Sequence, residues 1–339
     1  MFFARHMAIM SRSGMRIIDI LKAMKKQAGK GAYANLMESI IEDIKNGQFL
    51  SDSLAKNQNL FGDFFVNIIR VGEISGTLAD NLEYLAESLR KQSELQAKVK
   101  GALIYPVVIL FATFGMGGGM MFFIFPKILP IFKSLKVDLP ITTRIFISVS
   151  NFFINHGVLA FLGIIGFFAL FFLLIRIRPL RYAWHRSMLI VPYAGTMVRD
   201  YNMVNFSRAL ALLLKSGVKI VQALEISANS SANLVYKAKL HEIAISVGRG
   251  EPASKGLTDN PKLFPPIFSQ MIEIGEETGR LANTGNYLAD YYENELDAST
   301  KAFSTILEPV LLLTMGGAVA FIALAIIQPI YAVSQGIQK

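Results

Sequence analysis

The sequence has no cysteine, which excludes disulfides, thiolate metal sites and thiol catalysis. Histidine is almost as scarce, with four copies. His6, His156, His185 and His241 are scattered along the chain. His241-Glu242 lacks the second histidine that a zinc-protease helix needs one turn further on. Gly29-Lys30-Gly31 lacks the rest of a phosphate-binding loop, and no Gly-x-Ser-x-Gly is present. These absences predict no catalytic centre, no cofactor and no metal. Charged residues make up only 17% of the chain against 53% hydrophobic, a balance more apolar than soluble proteins carry. The first ten residues hold Arg5 and His6 without an apolar core long enough for a signal peptide.

The scarcity of charge is concentrated in three places. Pro106 to Phe125 (20 residues), Val158 to Ile175 (18) and Val310 to Ile330 (21) contain no charged residue. At about 1.5 Å per helical residue, roughly 20 residues cross a hydrocarbon layer about 30 Å thick. Three transmembrane helices are therefore predicted, with Pro106 and Pro309 near their starts, where a missing N–H costs least.

Against this background one stretch occurs twice. Val71-Gly72-Glu73-Ile74-Ser75-Gly76-Thr77-Leu78 corresponds to Ile274-Gly275-Glu276-Glu277-Thr278-Gly279-Arg280-Leu281, 203 positions later. At the same offset Arg12-Ser13-Gly14 matches Lys215-Ser216-Gly217, Gly47 matches Gly250, Leu54 matches Leu257, Phe61 matches Phe264 and Pro106 matches Pro309. A helical module and the apolar run after it have been duplicated, and the same buried positions imply the same packing.

Within the first copy, apolar residues recur at helical spacing. They predict two short helices either side of Ser13-Gly14, and a third over Leu36 to Ile44 that ends at Asn46-Gly47. A polar connector is predicted from Ser51 to Asn59, then a helix from Phe61 stopping at Gly72, then a long one over Leu78 to Lys98. Strand signals are weak. The predicted fold is an all-α membrane protein with two homologous cytoplasmic helical-bundle domains plus three transmembrane helices. Its segments are a first bundle (1–103), a span (104–126), a periplasmic loop (127–156), a span (157–176), a second bundle (177–306), a span (307–331) and a short periplasmic tail (332–339).

Two crossings between the copies place them on one side. Arg90, Lys91, Lys98 and Lys100 precede the first span, and Arg176, Arg178, Arg181 and Arg186 follow the second. The positive-inside rule then puts both bundles in the cytoplasm, against four basic residues in the loop (Lys127, Lys133, Lys136, Arg144). The net charge of +9 suits an anionic bilayer surface, and no basic-aromatic nucleic-acid motif accompanies it.

Several residues stand out as candidates. Glu73 and Glu276 sit on helix-junction turns. Each carboxylate is either displayed to a basic partner or divalent cation, or structural, favouring the next helix's N-terminus while the glycines supply positive φ. Gly115, Gly119, Gly316 and Ala320 lie within apolar runs, where small residues let helices approach closely. Glu308 stands at the threshold of the third span, as a functional carboxylate or as an interfacial one favouring a helix N-terminus.

Taken together these residues resemble a known family. Phe206-Ser207-Arg208-Ala209-Leu210-Ala211-Leu212-Leu213-Leu214-Lys215-Ser216-Gly217-Val218 is similar to the repeat opening of the inner-membrane platform proteins of type II secretion and type IV pilus systems, the type II secretion F-protein family. The Gly-Glu-x-x-Gly-x-Leu segments at Gly72 and Gly275, the Tyr105-Pro106 and Glu308-Pro309 pairs, and Leu139-Pro140-Ile141-Thr142 resemble further landmarks. The resemblance runs from Phe3 to Tyr331. Two departures accompany it: relatives usually carry an additional N-terminal cytoplasmic segment, and they tend to have proline where this chain has Arg16 and Lys219.

The resemblance implies a non-enzymatic inner-membrane protein. It implies coupling of a hexameric cytoplasmic assembly ATPase to extraction of pilin or pseudopilin subunits, with inner-membrane alignment proteins and further copies of the chain as partners. Arg12 and Lys215 become candidates for meeting an acidic motor surface. The competing reading is a multi-pass transporter, but transporters generally repeat the membrane-spanning part and line a path with polar groups. Here the repeat is chiefly soluble. A nucleotide-hydrolysing or receptor enzyme would need a site that the sequence lacks.

Overall fold

The computed structural model describes residues 2–120, 123 and 141–336. Residues 124–140, including the Leu139-Pro140 landmark and the first part of the expected loop, and the last three residues lie outside them. Every described element is helical. In chain order they are α1 (Phe2–Arg12), α2 (Ile17–Ala28), α3 (Ala32–Lys45), α4 (Leu50–Ala55), α5 (Gln58–Ser75), α6 (Leu78–Gly119), α7 (Ile141–Arg176), α8 (Arg178–Met188), α9 (Ala194–Lys215), α10 (Ile220–Ser230), α11 (Leu234–Gly248), α12 (Ala253–Thr258), α13 (Pro266–Glu277) and α14 (Leu281–Gly336).

The chain forms two compact units, Met1–Lys98 with Tyr182–Ser299, and Val99–Arg181 with Thr300–Lys339. The first unit holds both copies of the repeat, and they fold alike. In each copy the first helix packs on the second, the second on the third, and the short fourth on the fifth: α1 on α2, α2 on α3 and α4 on α5, then α9 on α10, α10 on α11 and α12 on α13. Equivalent positions fill both cores. Met7, Leu21, Met37, Leu54, Ile69 and Leu85 are buried in the first, and Leu210, Leu224, Leu240, Leu257, Ile272 and Leu288 in the second. A ring cluster is also repeated. Phe3, Phe61 and Phe65 have centroids 5.2–5.9 Å apart, and Phe206, Phe264 and Phe268 are 6.0–6.4 Å apart. Such tilted and edge-on pairs add about 0.5–1.5 kcal/mol each beyond burial.

Three expectations about helix limits change. The connector over Ser51 to Asn59 contains α4, whose Leu50 and Leu54 are core residues. The next helix runs through Gly72 to Ser75 and ends at Gly76, whose φ of +74° suits glycine. Finally, α6 and α14 do not restart at their prolines. Pro106 lies inside α6, and Pro309 inside α14, whose 56 residues run unbroken from soluble repeat to apolar stretch. Each proline frees one carbonyl a turn earlier instead of capping a helix start. Glu308 likewise sits mid-helix and exposed, so it has no N-terminal dipole to favour.

Within the first unit α6 and α14 run parallel. Lys91 Nζ donates to Asp290 at 3.2 Å, and Lys98 Nζ to Asp297 at 2.7 Å. The step is seven residues on both helices in the same sense, whereas antiparallel helices would reverse one of them. Exposed pairs of this kind contribute about 0–1 kcal/mol each, so they set register more than stability.

In the second unit, α6 and α14 each carry a stretch long and apolar enough to cross a membrane. α7 carries the shorter apolar segment Ile165–Arg176. It starts at Ile141, so residues 141–156, expected in the loop, are helical. The helix bends at His156 (φ −124°, ψ 20°), just ahead of the apolar run. Ala325 of α14 is buried, with Ile147 of α7 and Ile322 packed around it.

Candidate functional site

The duplicated Gly-Glu-x-x-Gly-x-Leu segment builds the same corner twice, and each residue has a separate task. A Cβ on Gly72 would come within 2.8 Å of the Leu78 Cα, and one on Gly275 within 2.9 Å of Thr284 Oγ1. The glycine is therefore needed for the following long helix to cross closely. The second glycine, Gly76 or Gly279, takes a left-handed φ of +74° or +66° and turns the chain out of the helix. The leucine opens α6 or α14.

The glutamate reaches back to the short helix before it. Glu73 accepts from the backbone N–H groups of Leu50 and Ser51 at 2.6 and 2.9 Å. Glu276 accepts from those of Ala253 and Ser254 at 2.6 and 2.9 Å. A short helix leaves its first N–H groups without partners, and an ionised carboxylate satisfies two of them at once. The carboxylates stabilise α4 and α12, not the helix that follows the turn. No group of three or more potential metal ligands occurs among the described residues.

Arg12 and Lys215 end α1 and α9 at equivalent positions but find different neighbours. Arg12 pairs with Glu83 of its own copy and stays largely exposed. Lys215 places its ammonium 3.8 Å from the ring centroid of Tyr84, in the other copy, a cation–π contact worth about 0.5–1 kcal/mol at an exposed site. A Cβ added at Gly115, Gly119 or Gly316 would meet nothing within 4 Å among the described residues. Among the described residues these glycines make no close helix contact.

One largely buried ion pair was not visible in the sequence. Arg208 on α9 donates to Glu293 on α14 at 2.6 Å, with side chains 9% and 19% exposed. The equivalent positions in the first copy are Arg5 and Arg90, so the repeat gives no hint of a pair. Beside Arg208 a cavity of about 80 Å³ opens between the two copies, lined by Phe64, Ser88, Gln92, Asn205 and Ser227. On the same helix buried Asp200 accepts from Ser299 Oγ at 3.2 Å. Burial pushes its carboxyl up to about 6 against the opposing Ser299 hydrogen bond, with Glu295 adding to the rise and Arg199 opposing it. The seven-residue steps Lys91–Lys98 and Asp290–Asp297 were also missed, although that spacing is itself a helix-face signal.

Comparison with known proteins finds the same duplication. The family described as type II secretion system (T2SS), protein F, matches residues 3–126 and again residues 206–329, at the offset of 203. The chain is 30% identical to the type IV pilus assembly protein PilC of Thermus thermophilus, over 98% of this chain and 81% of that protein. It is 28% identical to type II secretion system protein F of Vibrio cholerae, over 96% and 80%. It is 25% identical to the type IV pilus assembly protein PilC of Myxococcus xanthus, over 99% and 80%. With the family matched across both repeats, and relatives aligned along nearly the whole chain, the protein belongs to the type II secretion system protein F family, which includes the pilus assembly proteins of the PilC type.

Proposed function

We propose that this chain is a multi-pass platform protein of the bacterial cytoplasmic (inner) membrane. It couples a hexameric cytoplasmic assembly ATPase to the extraction and polymerisation of pilin or pseudopilin subunits, alongside inner-membrane alignment proteins. It does so as a scaffold without chemistry of its own. One observation carries the reading: two copies of one helical bundle each feed a continuous helix, α6 or α14, that runs on into an apolar stretch. The paired helices are parallel in the first unit. Each bundle is therefore joined to its apolar stretch by helix, with no intervening loop.

In this reading three segments cross the bilayer: 104–126, which begins in α6, 157–176 in α7 and 307–331 in α14. Both bundles are cytoplasmic, and the loop 127–156 and the tail 332–339 are periplasmic. The apolar helices contact pilin transmembrane helices, and Gly115, Gly119, Gly316 and Ala320 offer close-packing positions for them or for a second copy. Arg12 and Lys215, at matching ends of α1 and α9, meet acidic surfaces of the motor. Glu73 and Glu276 shape the corners.

Deleting the chain should abolish surface pili or type II secretion. The pair Arg12→Glu and Lys215→Glu should leave the protein in the membrane while lowering ATPase co-purification about tenfold, equivalent to roughly 1.4 kcal/mol of lost charge complementarity. Unchanged co-purification and assembly would remove these residues from the motor contact. Intact pili and secretion after deletion would overturn the platform reading.

A further inference from the structure

The two repeats meet head to tail, and this leaves one copy of each mating surface unused. Within the chain α5 of the first repeat packs against α10 of the second. The repeat relates α5 to α13 and α10 to α2. A two-fold arrangement would therefore pack α13 on α2 as extensively as α5 packs on α10, and α13 and α2 make no contact of that extent. Such an arrangement is heterologous: each repeat uses a different face, and the complementary faces remain at the two ends.

Exposure follows this pattern. Phe64 and Val71 of α5 are half-buried, Phe64 in the cavity beside the second repeat, while their counterparts Ile267 and Ile274 on α13 are 48% and 51% exposed. On the opposite end, Leu212 of α9 is 7% exposed but its counterpart Ile9 on α1 is 59% exposed. The bare faces keep the apolar character of the covered ones. Ile267, Met271 and Ile274 form a stripe at four- and three-residue steps, as Phe64, Ile68 and Val71 do.

Charge distinguishes the free pair of faces from the used pair. α13 carries Glu273, Glu276 and Glu277 with no basic residue. From Phe2 to Gly31, α1 and α2 carry Arg5, Arg12, Arg16, Lys22, Lys26 and other cations against a single acid, Asp19. The used helix α10 has only Glu225 and no cation. Opposite signs on the two free faces favour their meeting and oppose like-with-like association of either face.

We infer that α13 of one copy docks on the α1–α2 face of a second copy of this chain, repeating between molecules the contact that joins the repeats within one. The inference goes beyond the coupling role and stands on the repeat geometry, so it is tested without motor or pilin. Phe64 lines the inter-repeat cavity with Ser230, and the repeat maps this pair onto Ile267 and exposed Gln27.

The chain has no native cysteine, so Gln27→Cys and Ile267→Cys can be oxidised in membranes and resolved on non-reducing gels. The double variant should give a ladder of disulfide-linked dimers and larger species. The two single variants co-expressed should give dimers, and each alone only monomer. Adding Glu273→Arg and Glu277→Arg should cut cross-linking at least about fivefold, and further adding Lys22→Glu and Lys26→Glu should restore it. A double variant that stays monomeric, or Ile267→Cys cross-linking to itself as strongly as to Gln27→Cys, would overturn the head-to-tail contact. Charge reversal without effect on yield would do the same.

Discussion

Replacing Arg208 with alanine is expected to destabilise the helical unit by about 3–5 kcal/mol, the usual cost of stranding one partner of a buried ion pair. Arg208 donates to Glu293 at 2.6 Å, and both side chains are largely removed from water. Without the guanidinium, the Glu293 carboxylate keeps its desolvation cost and loses its compensation. The ion pair also pins α9 to α14 next to Gly285. A Cβ at Gly285 would lie 3.0 Å from the Ala211 Cβ, so the two helices are already in close contact and cannot slide to shelter the charge. In detergent, thermal unfolding of the first unit should shift down by about 10 °C or more. Adding Glu293→Gln to Arg208→Ala should recover a substantial part of the loss, because a neutral amide tolerates the site better than a lone carboxylate. If Arg208→Ala melts within about 2 °C of the parent, the pair is not structural.

The second large effect is expected at the corner glutamates. Glu276→Ala leaves the N–H groups of Ala253 and Ser254 without their acceptor, at about 1–3 kcal/mol for each group that stays out of water. A total of about 2–4 kcal/mol is expected, with α12 loosening first. Amide exchange at Ala253 and Ser254 should accelerate well before the rest of the unit opens. Glu73→Ala should do the same to Leu50 and Ser51, because the corner is built identically. The neighbouring Glu277→Ala, at an exposed position, should change stability by less than about 0.5 kcal/mol. If Glu276→Ala matched Glu277→Ala, the carboxylate would have a role other than capping.

These expectations mark where the sequence was informative and where it was not. The repeat could be read because its signals are local or periodic: left-handed glycines at Gly76 and Gly279, helical stripes such as Leu36 to Ile44, and uncharged runs. Helix limits were misjudged where two chemistries produce one geometry. Gly62, at φ +78° inside α5, breaks the helix where the second copy has Pro265 and Pro266 instead. α4 was read as a connector because six residues hold too little periodicity, and its cap comes from Glu73, 23 residues downstream. The prolines within α6 and α14 misled because a proline in a long apolar helix resembles one at a helix start. Arg208–Glu293 has no local signature, and the seven-residue charge steps of α6 and α14 mark a helix face without naming its partner. Both depend on how the copies pack, and copy number alone does not fix that.

The central claim is that both bundles lie in one compartment, each transmitting force through its own continuous helix. Asn46 and Arg249 occupy equivalent exposed turns of the two copies. The direct measurement introduces Asn46→Cys and Arg249→Cys singly and labels with a membrane-impermeant maleimide. Both should be protected in intact spheroplasts and both labelled in inverted inner-membrane vesicles. Labelling of one cysteine from each side of the membrane would contradict the claim.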